Sequence, residues 1–150
     1  MKQLITLIAV LSATTSMAAE NLICGLVNVK DSAAFASVEV KDIRAELEDY
    51  YLLDGGVDVA DDSYSFDLVV EREGAGLYVN ATFYENVNVQ DEVGQEAWLL
   101  KPEDLKKGQV VVSEPIYDSD DNLIMDFVCF YNTGSLKAKT LFARYIKSKG

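Results

Sequence analysis

The residues of this chain whose types could do chemistry are two cysteines, Cys24 and Cys129, and two short runs of acidic side chains. The cysteines stand far apart, there is no Cys-x-x-Cys pair, and the chain has no histidine. A thiol redox motif or a zinc site therefore has little to build on. In an exported protein, two cysteines that both persist in the mature chain are expected to pair. A Cys24–Cys129 disulfide would close nearly the whole chain, and the chain-entropy account assigns about 4.7 kcal/mol to a loop of that size.

The first acidic run, Asp118-Ser119-Asp120-Asp121-Asn122, offers oxygens at alternate positions, as the opening of a calcium loop does. Asp118, Asp120 and Asn122 are the candidate metal ligands. The pattern then departs from an EF-hand, because Leu123 stands where glycine is needed and Cys129 where the bidentate glutamate should be. A solvated hairpin turn is the expected reading, since Asp and Asn favour turns for their own backbone reasons. The second run, Asp54, Asp58, Asp61 and Asp62, follows the pair Gly55-Gly56 and reads as a flexible loop whose spacing matches no calcium repeat.

The missing histidine also removes the usual general base and the Ser-His and Cys-His nucleophile pairs. An enzyme built on this chain would depend on Asp, Glu, Tyr, Lys or an oxygen-bound metal. A two-carboxylate hydrolase is the form such an enzyme would take. With 25 acidic residues many pairs are conceivable, so no catalytic residue is assigned. No cofactor other than calcium is suggested.

The elements that must position these residues are mostly strands. In Ser65 to Arg72, Phe66, Leu68 and Val70 alternate with Ser65, Asp67 and Glu71. Glu73-Gly74-Ala75-Gly76 reads as a turn, after which Leu77, Val79, Ala81 and Phe83 alternate with Tyr78, Asn80, Thr82 and Tyr84. This is a hairpin with one apolar and one polar face. Ala97 to Leu100 and Gln109 to Tyr117 are further strands, separated by a helical turn over Lys101 to Gly108. A second hairpin runs from Val110 to Tyr117, turns at Asp118 to Asn122 and returns along Leu123 to Asn132. Leu22, Cys24 and Leu26 share one face of a strand, as do Leu123, Met125, Phe127, Cys129 and Tyr131, with Asp126 opposite.

Two segments fit both periods. Residues 42–53 alternate as a strand does, yet Ile43, Leu47, Tyr50 and Tyr51 also fall at helical spacing; the surrounding strands favour a strand. Residues 136–147 place Ala138, Leu141, Phe142, Tyr145 and Ile146 along one helical stripe. The fold class expected is all-β, an antiparallel sandwich or small barrel closed by one disulfide, with at most one short helix. An α+β fold with a helix at 42–53 or 136–147 is the alternative.

Location is written at the start of the chain. Lys2 precedes an apolar run from Leu4 to Leu11, and Ser16-Met17-Ala18 fits a small-x-small cleavage pattern. Residues 1–18 read as a signal peptide and 19–150 as a single globular domain, periplasmic or secreted. No apolar run is long enough to span a bilayer.

Charge bears on partners. The chain carries 13 basic against 25 acidic residues, a net charge of −12. Residues 136–150 hold Lys137, Lys139, Arg144, Lys147 and Lys149 with no acid, so the remainder is more acidic still. Such a body repels nucleic acid and anionic lipid and attracts basic proteins. The basic tail is expected to lie along the acidic body or to face solvent. Tyr78 and Tyr84, flanking Asn80 and Thr82, would form a contact surface unless another layer covers them, which is the expected case. The glycosylation pattern Asn80-Ala81-Thr82 falls in mid-strand and is read as coincidence. The functional expectation is a non-enzymatic exported binding or structural module with an acidic surface and an unknown partner. An inhibitor of a basic cell-wall lytic enzyme and a carboxylate-based hydrolase are the alternatives.

Overall fold

A computed structural model describes residues 20–28, 35–40, 53–59, 62–85, 91–118 and 120–150. Two four-stranded antiparallel sheets lie face to face, and a helix covers the outside of one of them. The strands are β1 (Leu22–Val27), β2 (Phe35–Val40), β3 (Leu53–Val59), β4 (Asp62–Glu73), β5 (Gly76–Glu85), β6 (Asp91–Leu100), β7 (Val110–Tyr117) and β8 (Leu123–Tyr131). The helix is α1 (Ala138–Lys149). One sheet has the order β2-β1-β8-β7 and the other is the meander β3-β4-β5-β6; they do not close into a barrel.

Alternation determines what each strand buries. Phe66, Leu68 and Val70 of β4 and Leu77, Val79, Ala81 and Phe83 of β5 all point inward. From the opposite sheet they meet Leu22, Cys24 and Leu26 of β1 and Met125, Phe127, Cys129 and Tyr131 of β8. Phe127 is the hub of this contact. Trp98 stacks on it at 5.3 Å, and Phe66 and Phe83 approach edge-on at 5.5 and 5.2 Å. These arrangements are the ones the ring quadrupole favours.

The run Phe127–Tyr131 is apolar at every position because β8 is covered on both faces. Its outward residues Val128 and Phe130, with Ile23 and Val27 of β1, meet Leu141, Phe142 and Tyr145 of α1. Phe130 and Phe142 cross edge-to-face at 5.4 Å. A strand buried on both sides loses the alternation of a half-wet strand and becomes continuously hydrophobic. The helical stripe of residues 136–147 thus forms a helix, offset two residues towards the C-terminus.

Cys24 and Cys129 are joined, as direct partners on neighbouring central strands. Both are fully buried. The meander turns at Gly74, whose φ of +58° suits glycine. At Gly76 a Cβ would fall 2.3 Å from the Leu100 carbonyl oxygen, so β5 approaches the end of β6 only because this residue has no side chain.

Several expectations change. Gly55-Gly56 and the acids Asp54 and Asp58 lie within β3, paired with β4, rather than in a flexible loop. The strand expected at Ala97 to Leu100 begins at Asp91. The helical turn is a 3-10 turn at Pro102–Asp104. The segment 42–53 lies outside the described residues, save that Leu53 opens β3, and so do residues 1–18, which the sequence reads as a signal peptide. Among the described residues no helix is long and apolar enough to cross a membrane.

Candidate functional site

The two ends of the sandwich differ in chemistry. One end is sealed. Arg72, an inward position near the end of β4, forms an ion pair with Glu20 just before β1. Tyr131 lies against the pair. Burial pushes its phenol up to about 12, helped by the hydrogen bond to Glu20 and that residue's charge. Burial alone would raise the Glu20 carboxyl, but hydrogen bonds from Arg72 and Tyr131, with the charge of Arg72, outweigh it and hold Glu20 below its ordinary value. Asn21 completes the seal. Its side chain donates to Glu39 and Thr133 and accepts from the Thr133 backbone at 2.9 Å.

At the other end the described residues leave a gap between the sheets. Leu26, Phe83, Val93, Ile116 and Met125, with Tyr64, Ser65 and Tyr84, line a small apolar pocket between the sheets, with room for little more than one water. The backbone register slips between Phe83 and Tyr84, opposite Gly94, which loosens the edge of the meander here. Tyr84 donates to Asp67 Oδ2 at 3.1 Å, and Tyr64 donates to Glu85 Oε1 at 3.4 Å. Desolvation raises the Tyr84 phenol, with further contributions from Asp67 and from the Glu92 charge. Glu85 stands directly opposite Asp91 across β5 and β6. Like charges so placed cost stability, so folding alone gives no reason for the pairing.

The β7–β8 hairpin extends beside this gap. Tyr117 and Leu123 are cross-strand partners at its tip and remain 49% and 45% exposed. Leu123 thus leaves the inward face expected of it, because β8 overruns the sandwich and the register slips between Ile116 and Tyr117. Between the two, Asp118 holds its own turn. Its Oδ1 accepts the backbone N–H groups of Asp120 and Asn122, each at 2.9 Å, and the Asn122 side-chain amide also donates to its carboxylate. These bonds, led by the Asn122 backbone, hold the Asp118 carboxyl below its ordinary value. Asp121 takes a left-handed φ of +61°.

The three candidate metal ligands Asp118, Asp120 and Asn122 are therefore brought into one turn, where the Asp118 carboxylate is engaged by the backbone. Among the described residues no group of three metal-ligating side chains comes together. For the second acidic run the structure gives only the strand register, with Asp54 opposite Asp67 and Asp58 opposite Ser63.

The outer face of the meander lies between the two expectations for it. Tyr78, Asn80, Thr82 and Tyr84 are half-buried, and Gln95 donates to Asn80 at 3.0 Å. The single helix described covers the other sheet instead.

Two features were missed in the sequence. One is the exposed Tyr117/Leu123 pair; the only available signal was that both flank the turn. The other is the junction beneath α1. There Tyr145 donates to Asp126 Oδ2 at 2.8 Å, and its hydroxyl lies 2.8 Å from Ser113 Oγ. Asp126 as a lone acid in an apolar strand was the sign of that junction. Comparison of the chain with known protein families, curated proteins and solved structures finds no match.

The described pocket is small and apolar, and the nearby carboxylates Asp67 and Glu85 accept hydrogen bonds from tyrosines. What stands out towards solvent is a turn hydrogen-bonded to Asp118 and bearing acids, with an aromatic and an aliphatic side chain on its flanks.

Proposed function

We propose that this protein is an exported, non-enzymatic binding module that engages a basic protein through the β7–β8 end of its sandwich. The observation that carries the reading is the β7–β8 tip, where exposed Tyr117 and Leu123 bracket a turn already fixed by Asp118. A tyrosine and a leucine on a preordered turn supply apolar contact at low entropic cost. Asp120 and Asp121 in the turn, with Glu85, Asp91 and Glu92 where β5 ends and β6 begins in the other sheet, supply a field that speeds encounter with a cationic surface. A basic cell-wall lytic enzyme is the partner class that best fits these properties and the leader-like residues 1–18, with this protein as its inhibitor. The buried disulfide supports an oxidising, periplasmic or secreted location.

The test is association of the processed protein with a purified basic lytic enzyme at low and high salt. Association should slow markedly as salt rises, while dissociation changes less. Tyr117→Ala with Leu123→Ala should speed dissociation, and Asp120→Lys with Asp121→Lys should slow association. Turnover of a glycan or peptide by the purified protein, lost on changing one carboxylate, would overturn the reading in favour of a carboxylate hydrolase.

A further inference from the structure

The basic residues gathered at the C-terminus face solvent, one of the two placements expected of them. They form the outside of α1. Leu141, Phe142 and Tyr145 face sheet β2-β1-β8-β7, which turns Lys139, Arg144 and Lys147 to the opposite side, where all three are exposed. Lys137 and Lys149 stand exposed at the two ends, Lys149 with its Nζ 5.3 Å from the centre of the Tyr145 ring. Among the described residues no ion pair joins any of the five to a carboxylate. The ion pair described is Arg72–Glu20, at the sealed end of the sandwich.

Helix stability explains only part of this pattern. Lys147 and Lys149 sit in the last turn, where a cation is favourable to the helix dipole. Lys137 and Lys139 sit at the N-terminal end, where a cation is unfavourable, and there is no acid in the first turn and no side-chain cap. The sequence thus keeps cations where the helix would be better served by acids.

From this charge segregation we infer that the outer face of α1 is a docking surface for a bilayer rich in anionic phospholipid. The net negative charge of the chain does not prevent this. Helix and sheets stack at ~10 Å per layer, so the carboxylates on the far side of the meander lie ~20 Å from the outside of α1. That is more than twice the screening length of about 8 Å at physiological salt. On the α1 side of its own sheet the described carboxylates are Glu39, which accepts from Asn21, and Asp126, which accepts from Tyr145, while the cations of α1 stand on the outside of the helix that covers this face.

A flat bilayer fits this face better than a nucleic acid does. The helix lies along the sheet with its aromatic residues turned inward, which leaves neither a groove-entering edge nor an exposed ring for a base. Two exposed apolar side chains accompany the helix: Leu136, two residues before it, and Val110, opposite the outward-facing Phe130. They suit shallow contact at the headgroup level. This surface and the β7–β8 end of the sandwich are separate, so a docked molecule would keep its acidic tip available.

The test is co-sedimentation of the processed full chain with vesicles of phosphatidylcholine alone and of an equal mixture with phosphatidylglycerol. Binding to the mixture at low ionic strength, loss of that binding as salt rises, and none to phosphatidylcholine alone are expected. Lys139→Glu with Arg144→Glu and Lys147→Glu should weaken binding by roughly tenfold or more. Lys101→Glu with Lys106→Glu and Lys107→Glu, an equal charge change elsewhere, should leave it within about twofold. Circular dichroism on each variant establishes that α1 persists. Failure of the wild-type protein to bind the mixed vesicles would overturn the inference. So would undiminished binding by the folded helix variant, equal loss in the loop variant, or tighter binding to a soluble DNA duplex than to vesicles. None of these outcomes bears on the basic-protein reading, which does not involve α1.

Discussion

The Tyr145 hydroxyl donates to Asp126 Oδ2 at 2.8 Å while lying equally close to Ser113 Oγ, so one phenol ties α1 to both strands of the β7–β8 hairpin. Desolvation raises this phenol above its ordinary value, and the Asp126 charge adds to the effect. The hydroxyl is thus held protonated as the donor its carboxylate partner needs. Tyr145→Phe should cost about 1–3 kcal/mol in urea unfolding, because it leaves a half-buried carboxylate without its donor. Ser113→Ala should cost less, since Asp126 keeps the tyrosine.

Lys137 is the N-cap of α1 without a capping hydrogen bond. Lys137→Ser should raise stability by about 0.5–1 kcal/mol, measured by thermal or urea unfolding. No gain would mean that this end of the helix is already satisfied.

Removal of the disulfide should be costly. Cys24→Ala with Cys129→Ala should lower stability by about 2–5 kcal/mol, read from denaturant midpoints. The intact protein should weigh two hydrogens less than its reduced form. A titre of two free thiols per chain in native protein would contradict the pairing.

Acid sensitivity follows from Glu20. Its carboxyl is held below its ordinary value in the folded protein, so its contribution is fully present above that ordinary value, near 4.5. The contribution is lost as pH falls through the lowered folded value. Glu20→Gln should flatten the fall in melting temperature below about pH 4.5 and lower stability at neutral pH. Tyr131 acts at the alkaline end. Its raised phenol should titrate near 12 by ultraviolet absorbance, and stability should decline as pH rises from the ordinary value of 10 through that value.

Phe127 gives the sharpest test of the core. Phe127→Ala should destabilise by about 3–5 kcal/mol, since Trp98, Phe66 and Phe83 all lose their common partner.

What the chain discloses by itself follows from period. The alternation in β4 and β5 gives their buried faces directly, and the placement of Cys24 and Cys129 on inward positions of the first and last strands gives the disulfide. Residues 136–147 carried a helical stripe, but nothing in it showed which sheet the helix would cover. The continuous apolar run of β8 records that cover only once the helix is in place. The β7–β8 end was less legible. Tyr117 and Leu123 have the residue types of a core, and their exposure depends on how far a hairpin overruns the sandwich, which is a property of register and not of composition. Gly55 and Gly56 misled for the opposite reason, being turn formers held in β3 by pairing with β4.

The central pairing of β1 with β8 also sets the order in which the chain can assemble. The meander β3-β4-β5-β6 joins sequence neighbours and can form from local contacts as soon as its residues are available. In the other sheet β1 has only β2 beside it until β8 arrives from 105 residues away, and β7 and α1 dock on what β8 completes. Closing so long a loop makes this the late and slow step. A chain halted before Leu123 would therefore hold a formed meander with its apolar face uncovered, and its N-terminal hairpin would present an unpaired edge. Such an intermediate invites capture by a chaperone or by another copy of itself until the last 28 residues are delivered.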